Sequence, residues 1–371
     1  MLIPPMPEIA MVARKQCVMA LMRTAFLVII YIGLLSITGS GEMVTVVDFT
    51  GHSVSVDAPI KSIVSLAGGA SEIICALDEG ASLVGRSTNS DFPPYLATVA
   101  EVGKNSYSPD IELILELDPD LVVADTMISD GDKKTLEDAG IPVMEEKFID
   151  PSRTILVMEN LGQVLGKEKR AQELVEFIKN YQDKIQDQVA ALPEEDVPRV
   201  FFEWYGTPYH TVSSSGSYQN FITFAGGLNV AADLGNESNS YPDVSPEWVV
   251  QIDPDIILQS EPSTKNYTED ELAQLRDEIM SRPELQSAKA VEDGRVFVMS
   301  GKITSGIRAI VGELYLAKWL HPQRFEDVDP DHVHRELIDK FYGLDLEGAY
   351  AFPSSSFLEM ENSDKYLSSD Q

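Results

Sequence analysis

Cysteine is nearly absent from this 371-residue chain, which holds only Cys17 and Cys75. A body containing Cys75 alone closes no internal disulfide, and zinc or iron–sulfur centres built on several thiolates are excluded on the same count. Cys75 falls in the apolar run Ile73-Ile74-Cys75-Ala76-Leu77, where a thiol serves as a small hydrophobe rather than a nucleophile. Positive charge is also scarce. The 28 Lys and Arg stand against 60 Asp and Glu, a formal net charge of -32, so a nucleic acid would be repelled rather than drawn in by counterion release. The acidity itself serves solubility and marks no particular patch.

Catalytic and metal motifs are missing too. Gly68-Gly69 lacks the Lys-Ser/Thr ending of a phosphate loop, and Ser213-Ser214-Ser215 has no nucleophile-elbow context. His332 and His334 are two apart, which puts them on different faces of a helix, and Asp327, Asp329 and Asp331 lack the glycine and terminal glutamate of a calcium loop. No enzyme activity, metal site or resident cofactor is expected.

What is present is a core. Hydrophobic residues make up 44% of the chain and charged residues 24%, the balance of a globular protein, and the length suits about two domains. Residues 1–40 read as a signal peptide or N-terminal anchor: Arg14, Lys15 and Arg23 precede an uncharged apolar run from Ala25 to Ile37, followed by Thr38, Gly39 and Ser40. That run is shorter than the roughly 20 residues a spanning helix needs, which favours cleavage over anchoring, and Met22 offers an alternative start. An extracytoplasmic location follows. No cysteine follows the run, so a lipid-attached leader is not expected. Asn236-Glu237-Ser238 and Asn266-Tyr267-Thr268 fit the glycosylation acceptor pattern.

Past the leader, Val44–Asp48 and Ser53–Val56 read as a hairpin about Phe49-Thr50-Gly51-His52. Ser62–Leu66 is a buried strand, and Ser71 is the expected N-cap of an apolar helix ending near Gly80. Short apolar strands at Leu83-Val84 and Leu121–Val123 alternate with helical segments, the pattern of a parallel sheet flanked by helices. Residues 153–192 then run in helical period, divided by Gly166, and the second helix is long enough to join two lobes as a stiff strut. Such a strut permits only modest closure on binding. Strand–helix alternation resumes at Arg199–Glu203, Asp255–Leu258 and Arg295–Met299. The reading is therefore α/β, with mainly parallel sheets in an N-terminal lobe (44–152) and a C-terminal lobe (198–345), and a polar tail over 346–371 whose last 15 or so residues read as frayed.

A repeat joins the two lobes. Glu112–Val123 reads ELILELDPDLVV and Glu247–Leu258 reads EWVVQIDPDIIL, offset by 135 residues. In both, a helix stops at Asp-Pro-Asp and a buried strand begins, because Pro119 and Pro254 cannot continue the helices and the aspartates favour the turn.

The segments VTVVDFTGHSV, IKSIVSLAGGASEIICAL and IELILELDPDLVVAD together resemble the N-terminal lobe of ABC-importer receptors for ferric siderophores, cobalamin and haem. Phe221–Asn229, SPEWVVQIDPDIIL, Leu316–Pro322 and Phe341-Tyr342-Gly343 resemble their counterparts in the second lobe. The resemblance covers about residues 44–345. It implies a monomeric binding protein with two lobes bridged by a long helix, whose partners are a metal chelate and an ABC permease. The leading ligand is an iron(III)-siderophore-type chelate, with cobalamin, another corrinoid or haem as the alternative. A surface sensor is less favoured, and a metal-cluster protein of related lobe arrangement is excluded by the missing cysteines and the leader.

In open α/β sheets ligands sit beyond the carboxyl ends of the strands. That rule selects Gly68, Gly69, Arg86, Asn89, Asp125 and Thr126, with Tyr107, in the first lobe. In the second it selects Trp204, Tyr205, Tyr209, Tyr241, Lys302 and Arg308. Aromatic rings would meet the apolar faces of a chelate, and the cations its carboxylates or catecholates. Glu72, expected as the second residue of the first-lobe helix, matches the glutamate that in the family meets permease arginines; a carboxylate stabilising a helix N-terminus is the other reading. The corresponding helix of the second lobe opens Ser217-Tyr218-Gln219-Asn220 with no acid, so a symmetric docking pair is in doubt.

Overall fold

The computed structural model describes residues 41–235, 239–355 and 357. The leader and the sequon at Asn236 lie outside them. Among the described residues no helix is long and apolar enough to cross a membrane.

Strands β1 (Glu42–Val47) and β2 (Ser53–Ala58) form a two-stranded sheet. In β2 Val54, Val56 and Ala58 are buried and their neighbours exposed, so the hairpin lays one face on the core. The Asp48 carboxylate ties the turn by accepting from the Thr50 and His52 amides, each at 2.9 Å.

The first large sheet has the order β5-β4-β3-β6-β7. It comprises β3 (Ile63–Ser65), β4 (Leu83–Arg86), β5 (Ala100–Glu101), β6 (Leu121–Asp125) and β7 (Val143–Glu146), all parallel. Helices α1 (Gly68–Ala76), α2 (Ile111–Leu117) and α3 (Asp130–Asp138) supply crossovers. Ile63 pairs with Leu121 at the centre, and both are fully buried, as a sheet covered on two faces requires.

Helices α4 (Pro151–Leu165) and α5 (Glu168–Val189) follow, separated by Gly166 at φ +65°, a backbone state suited to glycine. The 22 residues of α5 span about 33 Å at 1.5 Å per residue. Its stripe of Ala171, Leu174, Val175, Ile178 and Ile185 is buried. Near its start, Arg170 Nε donates to the Ala76 carbonyl of α1 (3.0 Å); near its end, Gln186 Nε2 donates to the Phe224 carbonyl of the second lobe (2.9 Å). The helix thus touches both lobes.

The second large sheet has the order β12-β11-β10-β8-β9. It is built from β8 (Arg199–Trp204), β9 (Leu228–Asn229), β10 (Ile256–Glu261), β11 (Val296–Ser300) and β12 (Ala351–Phe352). Helices α6 (Tyr218–Phe224), α7 (Pro246–Ile252), α8 (Glu269–Met280) and α9 (Lys289–Glu292) flank it. Then α10 (Ala309–Leu320) and α11 (Pro330–Tyr342) precede β12, and the Tyr342 hydroxyl donates to the Glu72 carbonyl (3.1 Å) in the first lobe.

The repeat has one structure in both lobes. Asp118 and Asp253 end α2 and α7 in the left-handed region (φ +46° and +47°), and Pro119 and Pro254 stop further helix. The last aspartate of each motif then reaches the start of the neighbouring strand. Asp120 Oδ2 accepts from the Lys61 and Ser62 amides (2.8 and 2.9 Å), and Asp255 Oδ2 accepts from the Arg199 amide (2.9 Å). Those carboxylates satisfy strand amides that no sheet neighbour reaches.

Two local expectations need correction. Ser71 is not an N-cap: α1 begins at Gly68 after Ala67 and ends at Ala76, and the Ser71 hydroxyl bonds the Ser65 hydroxyl (2.8 Å) inside the lobe. The tail does not begin at residue 346, because Ala351 and Phe352 are buried and pair antiparallel with β11. A two-residue strand among serines carries too little periodicity to be read from sequence.

Candidate functional site

The C-terminal ends of both parallel sheets open toward one cleft of about 150 Å³. From the first lobe its wall carries Gly68 and Gly69 at the start of α1, Asn89 after β4, Asn105 and Ser106, and Asp125 after β6. From the second it carries Ser263 after β10 and Lys302, Ser305 and Arg308 after β11. Of the residues selected from sequence, Gly68, Gly69, Asn89, Asp125, Lys302 and Arg308 therefore meet in one place.

The others lie elsewhere. Arg86 is buried in its own lobe, donating to the Leu96 carbonyl (2.7 Å) and to Glu101 (3.0 Å). Tyr107 is 76% exposed beside the cleft-lining Ser106, and Thr126 is exposed beside Asp125. Trp204 packs against Tyr205 and Tyr241 in an aromatic cluster of the second lobe that also includes Tyr218. Tyr209 stands further off, bonded to Glu284 (2.7 Å) and covered by Arg282. Among the described residues the only aromatic side chain in the lining is Phe148, which no sequence pattern singles out. It follows β7, whose sequence VMEE hides a fully buried strand: Glu145 pairs with Lys133, and Glu146 with Arg153 (3.0 Å). Asp91, in the loop after β4, is a second lining residue that sequence reasoning missed.

Glu72, expected at a helix start, instead lines the cleft from the middle of α1. It is the fifth residue of α1, 7% exposed, and it accepts from Arg308 Nε (2.9 Å) and Nη2 across the lobe boundary. Burial works against the Arg308 charge, but the Glu72 carboxylate outweighs it and holds the guanidinium protonated above its usual range. A carboxylate committed to a buried guanidinium is not free to meet a permease arginine. The lobes are joined by further bonds around this pair. Lys302 Nζ donates to Asp91 (2.7 Å), the Gly306 amide to the Phe148 carbonyl (2.9 Å), and Asn220 Nδ2 to Asp150 (2.9 Å).

Burial pushes the Asp125 carboxyl up. It likewise pushes the Cys75 thiol to about 11, which keeps that side chain an inert part of the core. Among the described residues no cluster of three or more His, Cys, Asp or Glu could hold a metal ion.

Glycine is required where the lobes touch. A Cβ on Gly306 would lie 2.8 Å from the Gly69 Cα, and Gly306 has φ +63°. Gly306→Ala is therefore expected to destabilise the fold by about 2–4 kcal/mol, from left-handed strain and an overpacked backbone contact. A urea melt checks this; an unchanged midpoint would show that the lobes yield freely at this contact.

Two parallel α/β lobes, a helix that touches both, and a polar cleft at facing strand ends define a solute-binding protein. Residues 63–302 match the family model described as periplasmic binding protein, and the chain belongs to that family, in the class of receptors that serve ABC transporters. An uncharacterized ABC transporter substrate-binding lipoprotein, YvrC of Bacillus subtilis, is 27% identical over 76% of this chain and 87% of its own length. A cobalamin-binding protein of Halobacterium salinarum is 28% identical over 58% of each chain. The fold is shared with the TroA-like periplasmic binding protein FepB of Veillonella parvula (TM-score 0.72, 23% identity, 84% of this chain and all of that one).

Proposed function

We propose that this chain is the extracytoplasmic receptor of an ABC importer, that it captures an iron(III)-siderophore-type chelate between its lobes, and that it delivers the chelate to the permease. The observation that carries this reading is the pair Lys302 and Arg308, two buried cations 7% and 2% exposed, presented from one loop of the second lobe to the cleft. Buried cations with fixed partners suit a ligand rich in anionic oxygen. The wall of this cleft, with Asn89, Asn105, Ser106, Ser263 and Ser305, offers hydrogen-bonding groups that suit a hydrophilic chelate. A corrinoid is the second reading, supported by the relative named as cobalamin-binding.

Tryptophan fluorescence can test this. Trp204 packs on Tyr218, whose hydroxyl bonds Thr304 (2.9 Å) in the loop that bears Lys302 and Arg308. Titration with a ferric tris-catecholate, ferric citrate, cyanocobalamin and haemin is expected to give saturable quenching at micromolar or lower concentration with a ferric chelate. Saturation by cyanocobalamin or haemin alone would replace the ligand with the second reading. Tight binding of a sugar or amino acid, with every chelate failing, would overturn both.

A further inference from the structure

Behind the cleft lies a second cavity of about 590 Å³, and the two share Asp91, Lys302 and Arg308 in their walls. Its remaining wall comes from Phe92, Asn266 and Tyr267, from Tyr350, and from the connection Leu344–Gly348 after α11. Phe92 belongs to the same loop after β4 as Asn89, whereas the connection after α11 is not among the post-strand loops selected from sequence.

The partition between the cavities is asymmetric. Lys302 is buried, with a 6% exposed side chain, and donates to Asp91 and to Asn266 Oδ1 (2.8 Å), while the Asp91 side chain is 40% exposed. The lysine is thus fixed and its carboxylate partner can swing into water. Arg308 adds a second feature: among the described residues its buried Nη1 makes no hydrogen bond of normal geometry, with the Tyr350 side chain near the guanidinium, although Nε and Nη2 are both bonded to Glu72. A buried donor without a partner forfeits the hydrogen bonds it had in water, so it is a site for an acceptor.

We propose that the solute site continues past the Asp91–Lys302 bridge into this second cavity. An anionic group of the ligand takes the place of Asp91 on Lys302 and accepts from Arg308 Nη1. The rest of the ligand lies against Phe92, Tyr267 and Tyr350. This rests on the chelate-receptor reading and deepens it: a front cleft of about 150 Å³ is too small for a bulky chelate, and opening the bridge adds a space about four times larger. Asp345 and Glu347 are exposed on the far wall, so the outer part of the ligand is hydroxylated or amine-bearing rather than anionic.

The test uses the sign of one substitution. Because Asp91 competes with the ligand anion, Asp91→Asn is expected to tighten binding of a ferric tris-catecholate about tenfold, whereas Lys302→Met weakens it at least tenfold. Leu346→Trp, which fills the second cavity, is expected to weaken the tris-catecholate at least tenfold while leaving the urea unfolding midpoint unchanged. If wild type binds the chelate and Asp91→Asn binds it equally or more weakly, the two-cavity site is wrong while the receptor reading stands. The two-cavity site is equally wrong if Leu346→Trp has no effect on the chelate. If wild type binds none of the ferric chelates, the receptor's ligand class fails and this proposal fails with it.

Discussion

Arg308→Met is expected to lower the unfolding free energy by about 3–5 kcal/mol, because it leaves the Glu72 carboxylate in the interior without its counter-charge. The guanidinium is 2% exposed and lies over the Phe92 ring at 4.6 Å. Glu72→Met should cost a comparable amount by stranding Arg308. The double variant Glu72→Met with Arg308→Met should be far less damaging than the sum, since an apolar pair of similar volume removes both desolvation penalties. A urea double-mutant cycle measures this. Additive losses would mean that the two side chains act independently, and the pair would then not be what joins the lobes.

The second large effect is a pH dependence that resides in α10. Glu313 is fully buried and meets only Gln182 of α5, through Oε2 at 3.4 Å, while Oε1 has no partner. Burial pushes its carboxyl up to about 8 from the ordinary 4.5; the Gln182 hydrogen bond opposes this and nearby Asp150 adds to it. Between those two values the native state keeps a proton that the unfolded chain has released. The contribution to stability is therefore complete below about pH 4.5, falls as pH rises, and is gone once pH passes about 8. At 1.36 kcal/mol per pH unit the loss is on the order of 4–5 kcal/mol. Glu313→Gln keeps a neutral amide at all pH values, so it is expected to match wild type near pH 4.5 and to exceed it by several kcal/mol at pH 8. Chemical melts at both pH values decide the matter, and parallel losses in the two proteins would place the titrating group elsewhere.

Much of the architecture was legible because its signals are local. Gly166 separates α4 from α5 at a positive φ that glycine adopts without strain, and Asp118 and Asp253 turn the chain at matching points of the repeat. The central strands are uniformly apolar, as a sheet covered on both faces demands. Strand β7 was not legible, because two of its four residues are glutamates made burial-tolerant by a lysine and an arginine from the helices before and after it. The aromatic residues expected in the cleft were chosen by their place after β8. That rule fixes which end of the sheet they occupy, not whether a ring faces the cleft or its own lobe, and Trp204 packs edge-on against Tyr218 within its lobe.

By itself, then, the sequence determined two α/β lobes, a long helix between them, and which strand ends face the cleft, since periodicity, turn chemistry and chain breakers act over a few residues. Only the tertiary structure decided that Glu72 belongs to Arg308, 236 positions away, that Asp91 and Lys302 close one cavity off from another, and that Gly69 and Gly306 touch. The physical reason is that an ion pair or a backbone contact between lobes depends on how two separately specified bodies dock, and no local pattern along the chain encodes that geometry.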